Sequence, residues 1–240
     1  MKLVFLGTRG NTDITSPRHR RHSSALVTYR GQTVMIDCGA DWREEVWSLH
    51  PPGIVLTHAH PDHAWGLRDG APCPVYATTD TWRALPRFAI AERRTITARE
   101  PLTIRGIEFE AFPVAHAILA PAVAFRITAG TVTIFYVPDV VTILDRSAAL
   151  AGVRLYVGDG ATLTRSMVRR RSDVLIDHTP ITTQIAWCRW EGVPRAIFTH
   201  RGSEIIRGEA DRIDQRLRKL ACELGVQGEI AYDGMEQVLR

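Results

Sequence analysis

Apolar residues in this chain come mostly in short bursts of strand character, broken by glycine-bearing polar turns, with a smaller number of stretches in helical period between them. Lys2–Leu6 reads as a first strand, and Ser24–Tyr29 with Thr33–Asp37 as a hairpin about Arg30-Gly31-Gln32. A strand-type run from Ile54 and a short strand Pro74–Ala77 follow. Leu102–Ile104 pairs with Ile107–Phe112 about Arg105-Gly106, and Ala122–Ile127 with Val132–Val137 about Ala129-Gly130. Val153–Val157 and Ala196–Thr199 continue the series, and the pieces at Ile230–Tyr232 and Gln237–Leu239 are expected to complete the edge of a second sheet.

Helical spacing predicts a helix over Asp41–Leu49, with Trp42, Val46 and Leu49 on one face, and another opened by Trp65-Gly66-Leu67. Thr79–Leu85 is read as a helix capped by Thr79 or Asp80, and Asp145–Leu150 as a short one. Pro180–Glu191 places Ile181, Ile185, Ala186 and Trp190 near helical spacing, with Thr179 as cap and Pro180 in the first turn. Glu209–Leu224 carries the stripe Ile213, Leu217, Leu220, Leu224 and is closed by Gly225, so it covers a sheet. The mixture is that of an α/β fold.

The chemistry gathers at one strand end. Ile54-Val-Leu-Thr-His-Ala-His-Pro-Asp-His63 delivers His58, His60, Asp62 and His63 within six positions, although the chain holds only nine histidines. In extended backbone His58 and His60 point to one side and can grip one ion; after the turn stiffened by Pro61, Asp62 and His63 can face a second. Neutral imidazoles with carboxylates are donors for borderline divalent ions such as zinc. A solvated His-rich loop is the bland alternative, and it does not usually follow a buried strand.

Composition adds limits. With 240 residues, 45% of them apolar, the chain is long enough for one α/β domain over 1–240, and it has no repeat, low-complexity tract or linker. The start Met1–Gly7 runs straight into strand sequence, and no apolar run approaches about 20 residues, so neither a leader nor a membrane span is expected and a cytoplasmic location is. Cys38, Cys73, Cys188 and Cys222 form no CxxC pair and are expected as reduced core residues. The net charge of +4 favours anionic ligands only weakly and does not single out nucleic acid.

The pattern His58-x-His60-x-Asp62-His63 resembles that of the metallo-β-lactamase superfamily, whose members are four-layer αββα sandwiches holding one or two metals. The resemblance runs over nearly the whole chain. It implies His116, at the end of a strand, and Asp139, after the next strand pair, as a third histidine and a bridging carboxylate, with His200 as the last strand-end ligand. One ion would then take His58, His60 and His116, the other Asp62, His63 and His200, with Asp139 between them. It also implies Asp37, in Ile36-Asp-Cys-Gly39, as a hydrogen-bond acceptor for the metal loop; an ordinary turn aspartate is the alternative. Asp145 and Asp173 are expected at the surface.

His178-Thr-Pro-Ile-Thr-Thr-Gln-Ile-Ala186 resembles the stretch of ribonuclease Z and its phosphodiesterase relatives in which a non-ligand histidine protonates the leaving oxygen. Asp159, in Gly158-Asp-Gly-Ala-Thr162, occupies the place of its acidic partner, so His178, Asp159 and Asp62 are the implied catalytic residues. A helix-capping or packing role for His178 stays open. Two departures matter. Aspartate rather than cysteine at the bridging position leans away from the antibiotic-degrading branch. Residues 117–138 are filled by two strands and a turn, which leaves no room for the arm that holds transfer RNA in bacterial ribonuclease Z.

The expectation is therefore a dinuclear hydrolase of small phosphodiesters or nucleotide-type substrates, using two divalent ions, zinc first and manganese or iron as alternatives. Hydrolysis of lactones, thioesters or lactams, or a non-catalytic metal-binding sensor or accessory role, are the competing classes. The basic loop Pro17–His22 and the arginine segment Thr164–Arg171 either meet an anionic substrate or simply face water. Nucleic acid stays open as a partner, and a homodimer follows only by analogy with ribonuclease Z.

Overall fold

The structure, a computed structural model, describes residues 1–208 and 210–240. The first half of the chain supplies β1 (Lys2–Gly7), β2 (Ser24–Tyr29), β3 (Gln32–Ile36), β4 (Ile54–Val55), β5 (Val75–Ala77) and β6 (Arg93–Thr95). Next come β7 (Leu102–Ile104), β8 (Ile107–Ala115), β9 (Ala122–Ala129), β10 (Val132–Tyr136), β11 (Thr142–Ile143) and β12 (Leu155–Asp159). A separate hairpin β13 (Arg169–Arg171)–β14 (Val174–Ile176) precedes β15 (Arg195–Thr199), β16 (Gln227–Ile230) and β17 (Glu236–Val238). One sheet runs β17-β1-β2-β3-β4-β5-β6, the other β11-β8-β9-β10-β12-β15-β16, with β7 added on β8.

The alternation seen in the sequence decides the layers. Along β1, Leu3 and Phe5 point inward and meet Val27, Val34, Phe109, Phe125, Ile134 and Val157 between the sheets. The opposite faces are buried too, as strands sandwiched between helices require. Phe112, Phe135, Tyr156 and Phe198 pack under α4 (Arg146–Leu150), α5 (Ile181–Trp190) and α7 (Ala210–Glu223). Met35, Ile54, Leu56 and Val75 pack under α1 (Glu45–Leu49), α2 (Pro61–Ala64) and α3 (Thr79–Ala84). Each fully buried aromatic or branched side chain contributes roughly 1.5–3 kcal/mol, so the three apolar layers carry the fold. The order helix, sheet, sheet, helix is the expected αββα sandwich, and among the described residues no helix is long and apolar enough to cross a membrane.

Several local expectations are corrected. Asp41 does not start a helix, because its carboxylate is taken by the Arg9 guanidinium and the His22 amide. The segment turns instead as a 3-10 helix over Ala40–Trp42 and then α1, which ends at the left-handed His50; Trp42 and Val46 are buried but Leu49 is exposed. The cap of α3 is Thr78, whose hydroxyl accepts from Thr81 N at 3.2 Å, and not Thr79 or Asp80. α5 begins after Pro180 and gets no side-chain cap from Thr179. The helix opened at 65–67 begins earlier, at Pro61, and continues as 3-10 turn over Trp65–Leu67. The C-terminal strand pairs with β1, completing the first sheet and not the second. Of the cysteines, Cys38 and Cys188 are buried, Cys73 is half-buried and Cys222 is exposed on α7. The start of the long helix at Glu209 lies outside the described residues; its end at Gly225, with φ +70, is as expected.

Strand direction places the site. β3 and β4 run parallel, as do β10, β12 and β15, and β8 is antiparallel to β9, which is antiparallel to β10. All six therefore end at one edge of the sandwich, with Asp37, His58, His116, Asp139, Asp159 and His200 at or just past their last residues.

Candidate metal centre

Three groups of donors converge at that edge, one of them Asp139, Asp159, His178 and His200. His58, His60, His116 and Asp139 bring one atom each to within 4.8 Å of one another, and so do Asp62, His63 and His200. Asp139 joins the sets: its Oδ2 is 3.2 Å from His58 Nε2 and 2.9 Å from His63 Nε2, and its Oδ1 is 2.9 Å from His200 Nδ1. All seven implied ligands are brought together. α2 does this for Asp62 and His63 by turning immediately after Pro61, while Cys38 and Gly39 lie against its backbone. Any side chain at Gly39 would strike the Asp62 carbonyl, a Cβ there lying 2.2 Å from that oxygen.

Hydrogen bonds outside the cluster decide which nitrogen faces in. His63 Nδ1 donates to Asp37 Oδ2 at 2.8 Å. The Thr57 hydroxyl also donates to Asp37 and accepts from His58 Nδ1 at 3.0 Å. His116 Nδ1 donates to the Asp177 carbonyl at 3.1 Å. In each ring Nε2 is left inward as a lone-pair donor, the arrangement that metal-ligating histidines need. Asp37 is fully buried, at φ +57, and accepts from Thr57 N as well, so it holds the loop as expected.

Apart from His200 Nε2, which donates to Asp62 Oδ2 at 2.9 Å, the contacts within the cluster leave donor atoms unsatisfied. His60 Nδ1 lies 3.0 Å from His58 Nε2 and 3.2 Å from His116 Nε2, three acceptor-type nitrogens packed together. Asp62 Oδ1, Asp139 Oδ1, His63 Nε2 and His200 Nδ1 are buried with no hydrogen-bond partner. Donors about 2.0–2.2 Å from a shared tetrahedral zinc ion lie roughly 3.3–3.6 Å apart, so these nitrogens need separate only slightly to take one. Burial holds His58, His60 and His116 at a pKa of about 4, neutral as ligands must be. Burial would lower His63 and His200 too, but the Asp62 and Asp139 carboxylates outweigh it, raising His63 well above its usual value and His200 to about 10. Burial disfavours the charge of those carboxylates as well; the facing imidazoles outweigh it and hold both well below the usual range. Their only ion-pair partners among the described residues are histidines, so the site calls for positive charge. The residues fit divalent metal ions.

Beside the cluster, His178 Nδ1 lies 2.7 Å from Asp159 Oδ2. Asp159 is clamped in turn by the amides of Ala161 and Val140. Burial lowers the His178 pKa, yet the Asp159 carboxylate outweighs it and the net shift is upward. Gln184 was not anticipated: Oε1 accepts from Asp159 N and the Tyr156 hydroxyl, and Nε2 donates to the Asp159 and Thr179 carbonyls. Its place on the buried face of α5, with Ile181, Ile185 and Cys188, was a usable signal, because a buried amide must bond on both sides.

A cleft of about 300 Å³ opens over the cluster, bordered by Asn11, the loop 117–119, Arg171, Ile176 and His178. No residue of the basic loop 17–22 borders it: Arg18 lies by Asp214, His19 is buried against Thr8, and Arg21 pairs with Glu45. The arginine segment does reach it, through Arg171. Asp145 and Asp173 are exposed, as expected.

Comparisons with known proteins agree with this architecture. A ribonuclease Z from Mycolicibacterium paratuberculosis is 22% identical over 254 residues, covering 88% of this chain and 90% of that protein. A diphosphatase of the PhnP family superposes with a TM-score of 0.74 at 20% identity, over 100% of this chain and 98% of its own. Zn²⁺-bound PqqB from Methylobacterium extorquens superposes with a TM-score of 0.75 at 19% identity, over the whole of both chains. The β-lactamase superfamily domain matches residues 32–201. With that match over most of its length, on an αββα sandwich whose strand ends carry the histidines and aspartates of the motif, the chain belongs to the β-lactamase superfamily and has the metallo-β-lactamase fold.

Proposed function

We propose that residues 1–240 work as one domain, a dinuclear metal-dependent phosphodiesterase acting on small or nucleotide-type diesters. The observation that carries this reading is the His178–Asp159 pair, because attack on a carbon ester by a metal-activated water has no need of a separate acid. The ribonuclease Z and diphosphatase relatives support a phosphorus-centred substrate. His58, His60, His116 and Asp139 would hold one ion, and Asp62, His63, His200 and Asp139 the other, zinc being favoured over manganese by affinity. When bound, the ions supply a water of lowered pKa and neutralise charge on phosphoryl oxygens.

The remaining work is done by the chain. Asp159 fixes the proton on His178 Nδ1, so the ring, which borders the cleft, presents Nε2 as the donor to the leaving oxygen. Asp159 also steadies the imidazolium, and Gln184 with the Ala161 and Val140 amides keeps that carboxylate from turning away. The test is His178→Ala with a 2′,3′-cyclic nucleotide, whose ribose alkoxide needs a proton to leave, and, in parallel, a lactone and a thioester. Turnover of the diester should fall about 10²- to 10⁴-fold with metal content unchanged. Parent-level diester turnover in the variant, or dominant acyl turnover in the parent, would displace the reading.

A further inference from the structure

The mouth of the cleft contains side chains that the histidine–aspartate cluster does not use. On one side is the loop after His116, with Ile118 41% and Leu119 86% exposed. On the other is the β13–β14 hairpin, which contributes Arg171 and the half-buried Ile176. Aliphatic side chains left to water around a catalytic opening gain when an apolar group covers them. The hairpin's arginines are unequal. Arg169 is paired with Asp177 and Arg170 lies 3.8 Å from Asp173, whereas Arg171, the one at the cleft, has no carboxylate within ion-pair distance among the described residues.

We propose that this mouth is a specificity site for phosphodiesters bearing an apolar arm, a ring or hydrocarbon chain, with a second negative charge on that arm. Ile118 and Leu119 pack on the arm from one side and Ile176 from the other, and Arg171 meets the extra charge as a bidentate donor. A bare sugar phosphate would leave both walls wet. The proposal rests on the phosphodiesterase reading, and names the kind of diester that site prefers.

The test uses three diesters that share p-nitrophenolate as leaving group and differ in the second arm: methyl, benzyl and 4-carboxybenzyl. Methyl and benzyl alcohols are of similar acidity, so phosphorus is about equally reactive and kcat/KM reports the arm. Benzyl should exceed methyl by roughly tenfold or more, the scale of a filled apolar pocket, and 4-carboxybenzyl should exceed benzyl. Leu119→Ser and Ile176→Thr should each pull the benzyl-to-methyl ratio toward one, and Arg171→Gln should do so for the carboxybenzyl-to-benzyl ratio. Leu144→Ser, at a leucine 68% exposed that does not border the cleft, should move neither ratio. Calorimetry with the metal-loaded protein gives a readout free of turnover: benzylphosphonate should bind more tightly than methylphosphonate, and Leu119→Ser should narrow the gap. Equal kcat/KM for benzyl and methyl, or ratios unmoved by both Leu119→Ser and Ile176→Thr, would overturn the proposal. If no diester were cleaved at all, the phosphodiesterase reading would fall, and equal binding of the two phosphonates would separately overturn the specificity site.

Discussion

Replacing Asp37 by asparagine separates the shape of the metal loop from the charge that holds it. The position lies at φ +57, a conformation asparagine adopts readily, so the backbone need not move. An amide can still accept from Thr57 N, now 2.8 Å from Asp37 Oδ1. Its NH2 group, however, would face His63 Nδ1 and the Thr57 hydroxyl, both of which donate to Oδ2 in the parent. The charge-assisted bond to His63 is worth about 2 kcal/mol, which for a chain of this size is about 4–8 °C in Tm. The larger consequence is for His63: with Nδ1 opposed by a donor, the ring turns its tautomer and Nε2 is no longer the free lone pair. Removing such an outer partner typically costs 10- to 100-fold in metal affinity. Zinc competition against a chromophoric chelator measures this, and thermal unfolding with excess chelator measures the stability loss separately. Loss of affinity for one ion, with a smaller loss at the site reached through Thr57 and His58, is expected. A lowered Tm with both affinities within threefold of the parent would refute the argument that Asp37 sets the histidine tautomers.

Two further substitutions probe neighbouring claims. A Cβ at Gly10 would lie 2.7 Å from His200 Cε1 and 2.9 Å from Nε2, so Gly10→Ala should push that ring aside and weaken binding of the ion shared with Asp62 and His63 about tenfold, while the His58 set keeps its ion; equal weakening of both, by zinc titration, would count against the assignment of two sets. His19, buried against Thr8, has its pKa lowered from 6.5 to about 3 by burial and then by Arg201 and Arg18, so the unfolded chain takes up a proton that the fold refuses, and stability is lost as pH falls from 6.5 toward 3. The slope is up to about 1.4 kcal/mol per pH unit, and metal-free His19→Asn should show a flatter fall of Tm between pH 6.5 and 4 than the parent; parallel curves would exclude this role.

The centre was legible in the sequence because its donors sit at the ends of apolar strands, where local pattern and position coincide. His58 follows a buried run, and Asp159 now closes β12 itself. What escaped reading depends on distant partners. β6 is Arg-Arg-Thr, exposed at all three positions and with no apolar alternation, and it is a strand only because Val75–Ala77 pairs with it. β13 is three exposed arginines for the same reason, held by Val174–Ile176. β17 could not be assigned to its sheet, since its partner β1 lies at the other end of the chain. The loop 17–22 left a phosphate contact and a solvated face equally open; Arg18 and Arg21 face Asp214 and Glu45, and its amides serve Asp41 and Asp233. Charge along a sequence does not say which charges are already matched.

The most direct test of the central claim is metal analysis with anomalous diffraction on protein purified without added ions. Two divalent ions per chain are predicted, one among His58, His60, His116 and Asp139 and one among Asp62, His63, His200 and Asp139. Protein that takes up no ion even when zinc is supplied, or ions bound away from these residues, would contradict the account.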